Sequence, residues 1–139
     1  MASEQLVALV QRFEGCRLDP YFCSAGVLTC GWGATGAGVF PGQAWTQDQA
    51  DSRLRSDLAR FSAGVEQLCP SLTGCRQDAV ISFAFNVGLG NLRASTLRKK
   101  LLAEDWDAAR REFGKWVYGG GRVLPGLVRR RAAEAALFI

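Results

Sequence analysis

The amino-acid sequence predicts an α+β fold, with a small sheet near the N-terminus and a mainly helical region behind it. Three observations carry that prediction. Apolar residues recur at helical spacing in residues 3–14 and again in several stretches after residue 46. Between them, residues 17–42 lose that period and gain Gly, Pro, Tyr, Phe, Val and Thr, the residues of turns and strands. No internal repeat or low-complexity linker divides the chain, and 139 residues fit one domain with its own core. A single domain over residues 1–139 is expected.

Ser3 is a good N-cap, and Leu6, Leu9, Val10 and Phe13 follow at helical spacing up to Gly15, a natural stop. Tyr21 and Phe22, then Val27, Leu28 and Thr29, favour strands, and Ser24-Ala25-Gly26 supplies the turn of a hairpin. A Gly-rich loop should run from there to Gly42. Thr46-Gln-Asp-Gln49 matches a capping box and opens a helix to about Leu68, with Leu54, Leu58, Phe61 and Val65 as its stripe. Thr73 or Gly74 starts the next helix, with Ala79, Val80, Phe83 and Val87. Ser95 caps a short one, "TLRKKLLAE". Asp105 caps another carrying Trp106, Ala109, Phe113 and Trp116, residues that read as core. "GGGRVLPG" is a loop, and Pro125 suits the first turn of a last helix through Leu137.

Composition narrows the function. No apolar run approaches the roughly 20 residues that span a bilayer, and MASEQLVALVQRFEG has no basic n-region or A-x-A-like site. The expectation is a chain without its own export segment or membrane anchor. The net charge of +4 is uneven. From Arg93 onward there are 11 Lys/Arg against 5 Asp/Glu; before it there are 6 against 8. A basic C-terminal half suits an anionic partner or a solvated helix face. No aromatic-basic strand motif or recognition helix points to nucleic acid. There is no His, which excludes Ser-His-Asp and Cys-His mechanisms. There is also no C-x-x-C, so neither a metal site nor a cofactor is expected. Of five cysteines, Cys69 and Cys75 bracket a tight loop and are the pair best placed for a disulfide, if one forms.

The chemistry is to be sought in "FEGCRLDPYFCSAGVLTCGWG", residues 13–33. Glu14 stands where helix meets hairpin, and apolar neighbours there would strip its hydration and favour its protonated form. A negative charge also opposes the dipole at a helix C-terminus. A solvated helix-end glutamate is the plainer alternative. Taken singly, Cys23 reads as a small apolar side chain and Thr29 as a strand former. Asp19 is a second, lesser carboxylate.

Their spacing changes the weighing. Eight residues separate Glu14 from Cys23, and five separate Cys23 from Thr29. This resembles the phage-type lysozymes, endolysin muramidases whose motif is Glu, eight residues, Asp or Cys, five residues, Thr. The resemblance continues in "VLTCGWG", in Asp78 to Leu101 and in Phe113 to Leu137, so it spans nearly the whole chain. Two departures stand out: Cys23 occupies a position where most relatives have Asp, and Ala34 follows Gly-Trp-Gly where many have His.

The resemblance implies a lysozyme-like fold with a cleft between its two lobes, and hydrolysis of the β-1,4 bond between N-acetylmuramic acid and N-acetylglucosamine. It implies Glu14 as general acid, with Cys23 and Thr29 in the roles of the residues that hold and activate water. Cys23 then acts as thiolate base, as neutral water holder or as nucleophile. A lytic transglycosylase, or an inactive wall-binding module, are the alternatives. The resemblance also implies substrate contacts from Asn86, with Phe85, Ser95 and Thr96 as weaker candidates that double as core or cap. Of Arg129, Arg130 and Arg131, one or two are expected to face the wall or pair with Glu134. The expected partner is bacterial peptidoglycan, met by a monomer held in the host cytoplasm until a holin-type pore releases it. Cys16 or Cys30 in disulfide with Cys23 would silence such an enzyme.

Overall fold

Ser3 opens the first helix as expected. In the computed structural model, which describes residues 2–139, its hydroxyl oxygen accepts from the Leu6 amide at 3.0 Å. This helix, α1 (Glu4–Glu14), buries Leu6, Val7 and Val10. Gly15, at φ +67°, ends it, because that left-handed backbone suits a residue without a Cβ.

A three-stranded antiparallel sheet follows, β1 (Arg17–Phe22), β2 (Leu28–Gly31) and β3 (Ala34–Thr35), in that spatial order. The β1–β2 register pairs Phe22 with Leu28 and Tyr21 with Thr29, then slips before Arg17 meets Gly31. Pro20 lies in the slipped stretch, where a missing N–H costs no ladder bond. The Leu18 carbonyl, freed by the slip, accepts instead from the Trp45 amide at 2.9 Å and the Cys30 thiol at 3.3 Å. Cys30, Ala34 and Val39 form a small core under Leu28 and Trp45.

The Thr46 capping box closes in both directions. The Thr46 amide donates to Gln49 Oε1 at 2.8 Å and the Gln49 amide donates to Thr46 Oγ1 at 3.1 Å. It opens α2 (Gln47–Leu68). The remaining helices are α3 (Gly74–Val87), α4 (Leu89–Ala94), α5 (Thr96–Leu102), α6 (Trp106–Glu112) and α7 (Pro125–Leu137). No described helix is long and apolar enough to cross a membrane.

The chain forms two compact units that meet within α2, one up to Arg60 and one from Phe61. The second is built around α3, which buries six consecutive residues from Ala79 to Ala84. The Phe83 ring meets Phe113 and Trp116 edge-on, with centroids 5.6 and 5.4 Å away. Phe113 packs on Phe138 in turn.

Several expectations are corrected. The stretch through Gly42 is not all loop, since β3 lies within it. Arg53 of α2 holds this segment by donating to the carbonyls of Ala37 and Thr35 while its Nε pairs with Asp57 at 3.0 Å. "GGGRVLPG" likewise contains a ladder, β4 (Tyr118–Gly119) with β5 (Arg122–Val123), turned by Gly120 and Gly121, both at positive φ. The short helix α4 precedes Ser95. The Asp105-capped helix stops at Glu112, and one 3₁₀ turn (Phe113–Lys115) carries the chain to Trp116. No disulfide joins Cys69 to Cys75, and all five cysteines are thiols. Cys69 is buried behind α2, where burial pushes its thiol up.

Candidate active site

Glu14 is the last residue of α1 and is half-buried. Its carboxylate and the Trp45 ring crowd the two glycines of Gly31-Trp32-Gly33, where β2 ends. A Cβ on Gly33 would sit 3.0 Å from Glu14 Oε2, and one on Gly31 would sit 3.0 Å from the Trp45 ring. Both glycines have positive φ, +88° and +63°. A side chain at either position would be strained by that backbone and tight against its neighbour. Trp32 between them donates its indole N–H to Asp51 Oδ1 at 2.8 Å, and Gln47 donates to the same oxygen at 2.9 Å. The Trp32 bond, then the Gln47 bond, hold the Asp51 carboxyl below the usual carboxylate range. The segment carrying Gly33 is thus latched to α2 of its own unit.

Cys23 begins the turn of the β1–β2 hairpin. The Gly26 amide donates to the Cys23 carbonyl at 2.8 Å, and the Cys23 amide donates to the Val27 carbonyl at 3.0 Å. Gly26 takes φ +77°, as a three-residue hairpin loop requires. The backbone then curls around the sulfur. The Val27 amide first, and the Ala25 amide next, donate toward it and hold the Cys23 thiol below its usual range; the Thr29 hydroxyl adds to this, and partial burial opposes it. This is the geometry in which a turn-initial Asp or Asn accepts from the amide two residues on.

Thr29 lies beside it on β2. It is buried, with its hydroxyl 2.9 Å from the Val27 carbonyl, to which it donates. The Cys23 amide and the Thr29 hydroxyl thus share the Val27 carbonyl. Asp19 is exposed on β1. Cys30 is fully buried with its thiol committed to the Leu18 carbonyl, and Cys16 lies 3.7 Å from Gln47 Nε2. Ala34, at the position where many relatives carry His, fills the small core.

The second unit places the other candidates. Asn86 is exposed near the end of α3 and lines a groove of about 480 Å³ with Val87, Asn91, Lys115, Trp116 and Tyr118. Phe85 is half-buried and stacks at an angle on Phe61, with centroids 5.3 Å apart. Ser95 is buried, and its hydroxyl donates to the Leu92 carbonyl at 2.7 Å while accepting from the Arg98 amide at 3.0 Å. Of its two roles, geometry fills the capping one. Thr96 is exposed in the first turn of α5.

Arg130 and Arg131 are not open to a wall. They are 3% and 1% exposed, whereas Arg129 is exposed. Both flank the fully buried Glu134, at 3.4 and 3.1 Å, and Ser82 Oγ donates to the same carboxylate at 2.6 Å. Burial pushes the Glu134 carboxyl up, against the pull of Arg131, Ser82 and Arg130. Sequence reasoning found the Glu134 pairing but missed that Arg131 also donates to Asn86 Oδ1. Asn86 lies 45 positions before Arg131, and no local signal links them. Among the described residues no group of three or more His, Cys, Asp or Glu is arranged to hold a metal ion.

Comparison with known proteins adds four findings. The phage lysozyme family model matches residues 11–134. The chain is 43% identical to an endolysin of Acyrthosiphon pisum secondary endosymbiont phage 1, covering 98% of this chain and 96% of that one. It is 39% identical to an endolysin of Bacillus phage B103, covering 99% of this chain but about half, 53%, of that relative's length. Among solved structures, the muramidase domain of SpmX from Asticaccaulis excentricus superimposes with a TM-score of 0.91 at 30% identity, covering 100% of this chain and 97% of that one.

Proposed function

The chain belongs to the phage lysozyme family, glycosidases that hydrolyse peptidoglycan, and from that premise we propose that it cleaves the β-1,4 bond between N-acetylmuramic acid and N-acetylglucosamine. Glu14 gives its proton to the bridging oxygen as the C1–O bond breaks. Water adds to C1 and passes a proton to the Cys23 thiolate, and proton exchange restores both groups. Two groups on opposite faces of the scissile bond are what glycoside hydrolysis with inversion requires. Thr29, buried on β2 with its hydroxyl proton given to the Val27 carbonyl, offers its oxygen lone pairs to the attacking water.

The observation that supports this reading is the Cys23 turn. An ordinary thiol, with a pKa of about 8.5, is a poor anion at neutral pH. The Val27 and Ala25 amides shift the Cys23 thiol toward the thiolate. The substrate contact from the helical unit is Asn86. The protein acts as a monomer and a single catalytic domain, waiting in the host cytoplasm until a holin-type pore admits it to the wall.

The test is digestion of purified Gram-negative peptidoglycan in ¹⁸O-water, with the products read by mass spectrometry. Hydrolysis leaves reducing ends carrying one ¹⁸O, and Glu14→Gln abolishes them by about 10²- to 10⁴-fold. Anhydro-sugar ends without ¹⁸O, or no products from the native reduced protein, overturn the proposal.

A further inference from the structure

A buried cation beside an exposed amide is the least expected arrangement in the helical unit. Arg131 of α7 is 1% exposed. Its Nε faces Glu134 Oε1 at 3.1 Å, and its guanidinium centre lies 5.0 Å from the Phe83 ring centroid. From that fixed position Nη2 donates to Asn86 Oδ1. Arginine has five donors and no acceptor, so only the carbonyl end of the Asn86 amide can face it. A hydrogen bond from a charged donor is roughly twice as strong as a neutral one, and this one fixes which way the amide is flipped.

We infer that Arg131 is a positioning residue for substrate binding: it holds Asn86 so that the Nδ2 group, with both its donors, is presented to the groove between Asn91, Lys115, Trp116 and Tyr118. The ligand group that fits is a neutral acceptor oxygen, the acetamido carbonyl or a hydroxyl of a glycan. Left to itself an exposed asparagine samples both flips, and half of them would turn an acceptor toward an acceptor. The groove's other amide is also committed, since Asn91 Nδ2 donates to the Val87 carbonyl at 2.7 Å. Asn91 therefore presents its oxygen and Asn86 its nitrogen. The two amides offer acceptor and donor groups at the same groove, a pairing suited to an N-acetyl group. Glu134 makes the arrangement possible by compensating Arg131 in the interior, where an unpaired guanidinium would be costly.

This inference rests on the reading of Asn86 as a substrate contact, and the experiment separates the two. Steady-state kinetics on soluble, uncross-linked glycan-strand fragments compare Asn86→Ala, Asn86→Asp, Arg131→Lys and the Arg131→Lys/Asn86→Ala double variant. Lysine keeps the charge beside Glu134 but gives up the fork that reaches Asn86. Asn86→Ala is expected to raise KM about tenfold, the factor that a lost hydrogen bond of about 1.4 kcal/mol corresponds to, with kcat within about twofold. Asn86→Asp keeps an oxygen toward Arg131 and loses both donors, so its KM rises at least as far. Arg131→Lys raises KM in the native background, and adds less than about twofold once Asn86 is Ala.

If Arg131→Lys costs the same in both backgrounds, Arg131 is structural only, and the inference falls while Asn86 stands as a contact. If Asn86→Ala leaves KM unchanged, the contact reading falls and takes the inference with it. Should Arg131→Lys fail to fold, Asn86→Asp carries the test alone. An Asn86→Asp enzyme with native KM would show that the amide's orientation does nothing.

Discussion

The residues up to Arg60 and those from Phe61 onward are held together by different means. The first unit has a small core, and its loops are fastened by single polar latches. Arg53 takes the Thr35 and Ala37 carbonyls, Trp32 takes Asp51, and the Trp45 amide takes Leu18. The second unit is centred on a helix buried nearly all round, with Phe83, Phe113, Trp116 and Phe138 in contact and a buried Arg–Glu–Ser cluster beside them. The difference separates stability from chemistry. In the first unit, backbone turns and glycines hold the half-buried Glu14 and Cys23, the groups proposed to act on substrate. Dense packing in the second supports a rigid wall on which Asn86 is displayed.

Substitutions sharpen that contrast. Phe83→Ala should produce the largest loss, about 3–5 kcal/mol of stability, read by thermal or denaturant unfolding. An effect under 1 kcal/mol would show that the second unit does not depend on its aromatic centre. Gly33→Ala should do the reverse. Its methyl would meet the Glu14 carboxylate from a backbone at φ +88°. Displacing a reacting group by even an ångström can cost about 10²-fold, so turnover should fall by that order while the fold persists. Native turnover in Gly33→Ala would mean that the Glu14 position is not what the glycine protects.

A pH series probes the hairpin turn. Because the Val27 and Ala25 amides depress the Cys23 thiol, iodoacetamide should inactivate the enzyme at neutral pH faster than it reacts with an unstructured thiol, and the rate should fall only at pH values below the ordinary thiol range. The sign for stability follows. A depressed folded-state pKa favours folding above the unfolded value of about 8.5, and that contribution vanishes as pH falls through the Cys23 value. Reaction that begins only above pH 8.5 would contradict the turn's role. The smallest effect belongs to a helix end: Ser3→Ala removes the bond to the Leu6 amide and should cost about 1 kcal/mol with no change in turnover.

Much of this was legible in the sequence because the signals are local. Ser3, Thr46–Gln49, Ser95, Asp105 and Pro125 each announce a helix start through their own chemistry, and each does so in the structure. Spacing proposes Glu14, Cys23 and Thr29 as a trio, and the Cys23 amide and Thr29 hydroxyl share the Val27 carbonyl. What escaped has causes outside any short window. Two-residue strands such as β3 and β4 carry no period to detect. Helix α4 follows Gly88 directly and contains Gly90, which reads as loop. The pairing of the arginine run with Glu134 was legible, but its burial was not, because Ser82 and Asn86 of α3, which Glu134 and Arg131 meet, lie far back in the sequence.

The most direct measurement compares Cys23→Asp with Cys23→Ser, by clearing of outer-membrane-permeabilised Gram-negative cells and by product yield on purified peptidoglycan, with Glu14→Gln as the inactive control. If the turn is an anion site in service of hydrolysis, Cys23→Asp retains activity within about tenfold of the native reduced enzyme. Cys23→Ser, which keeps the size and loses the anion, falls by about 10²-fold or more. Equal activity in Cys23→Ser and the native protein would contradict the account, because the turn would then be holding a charge that the reaction does not need.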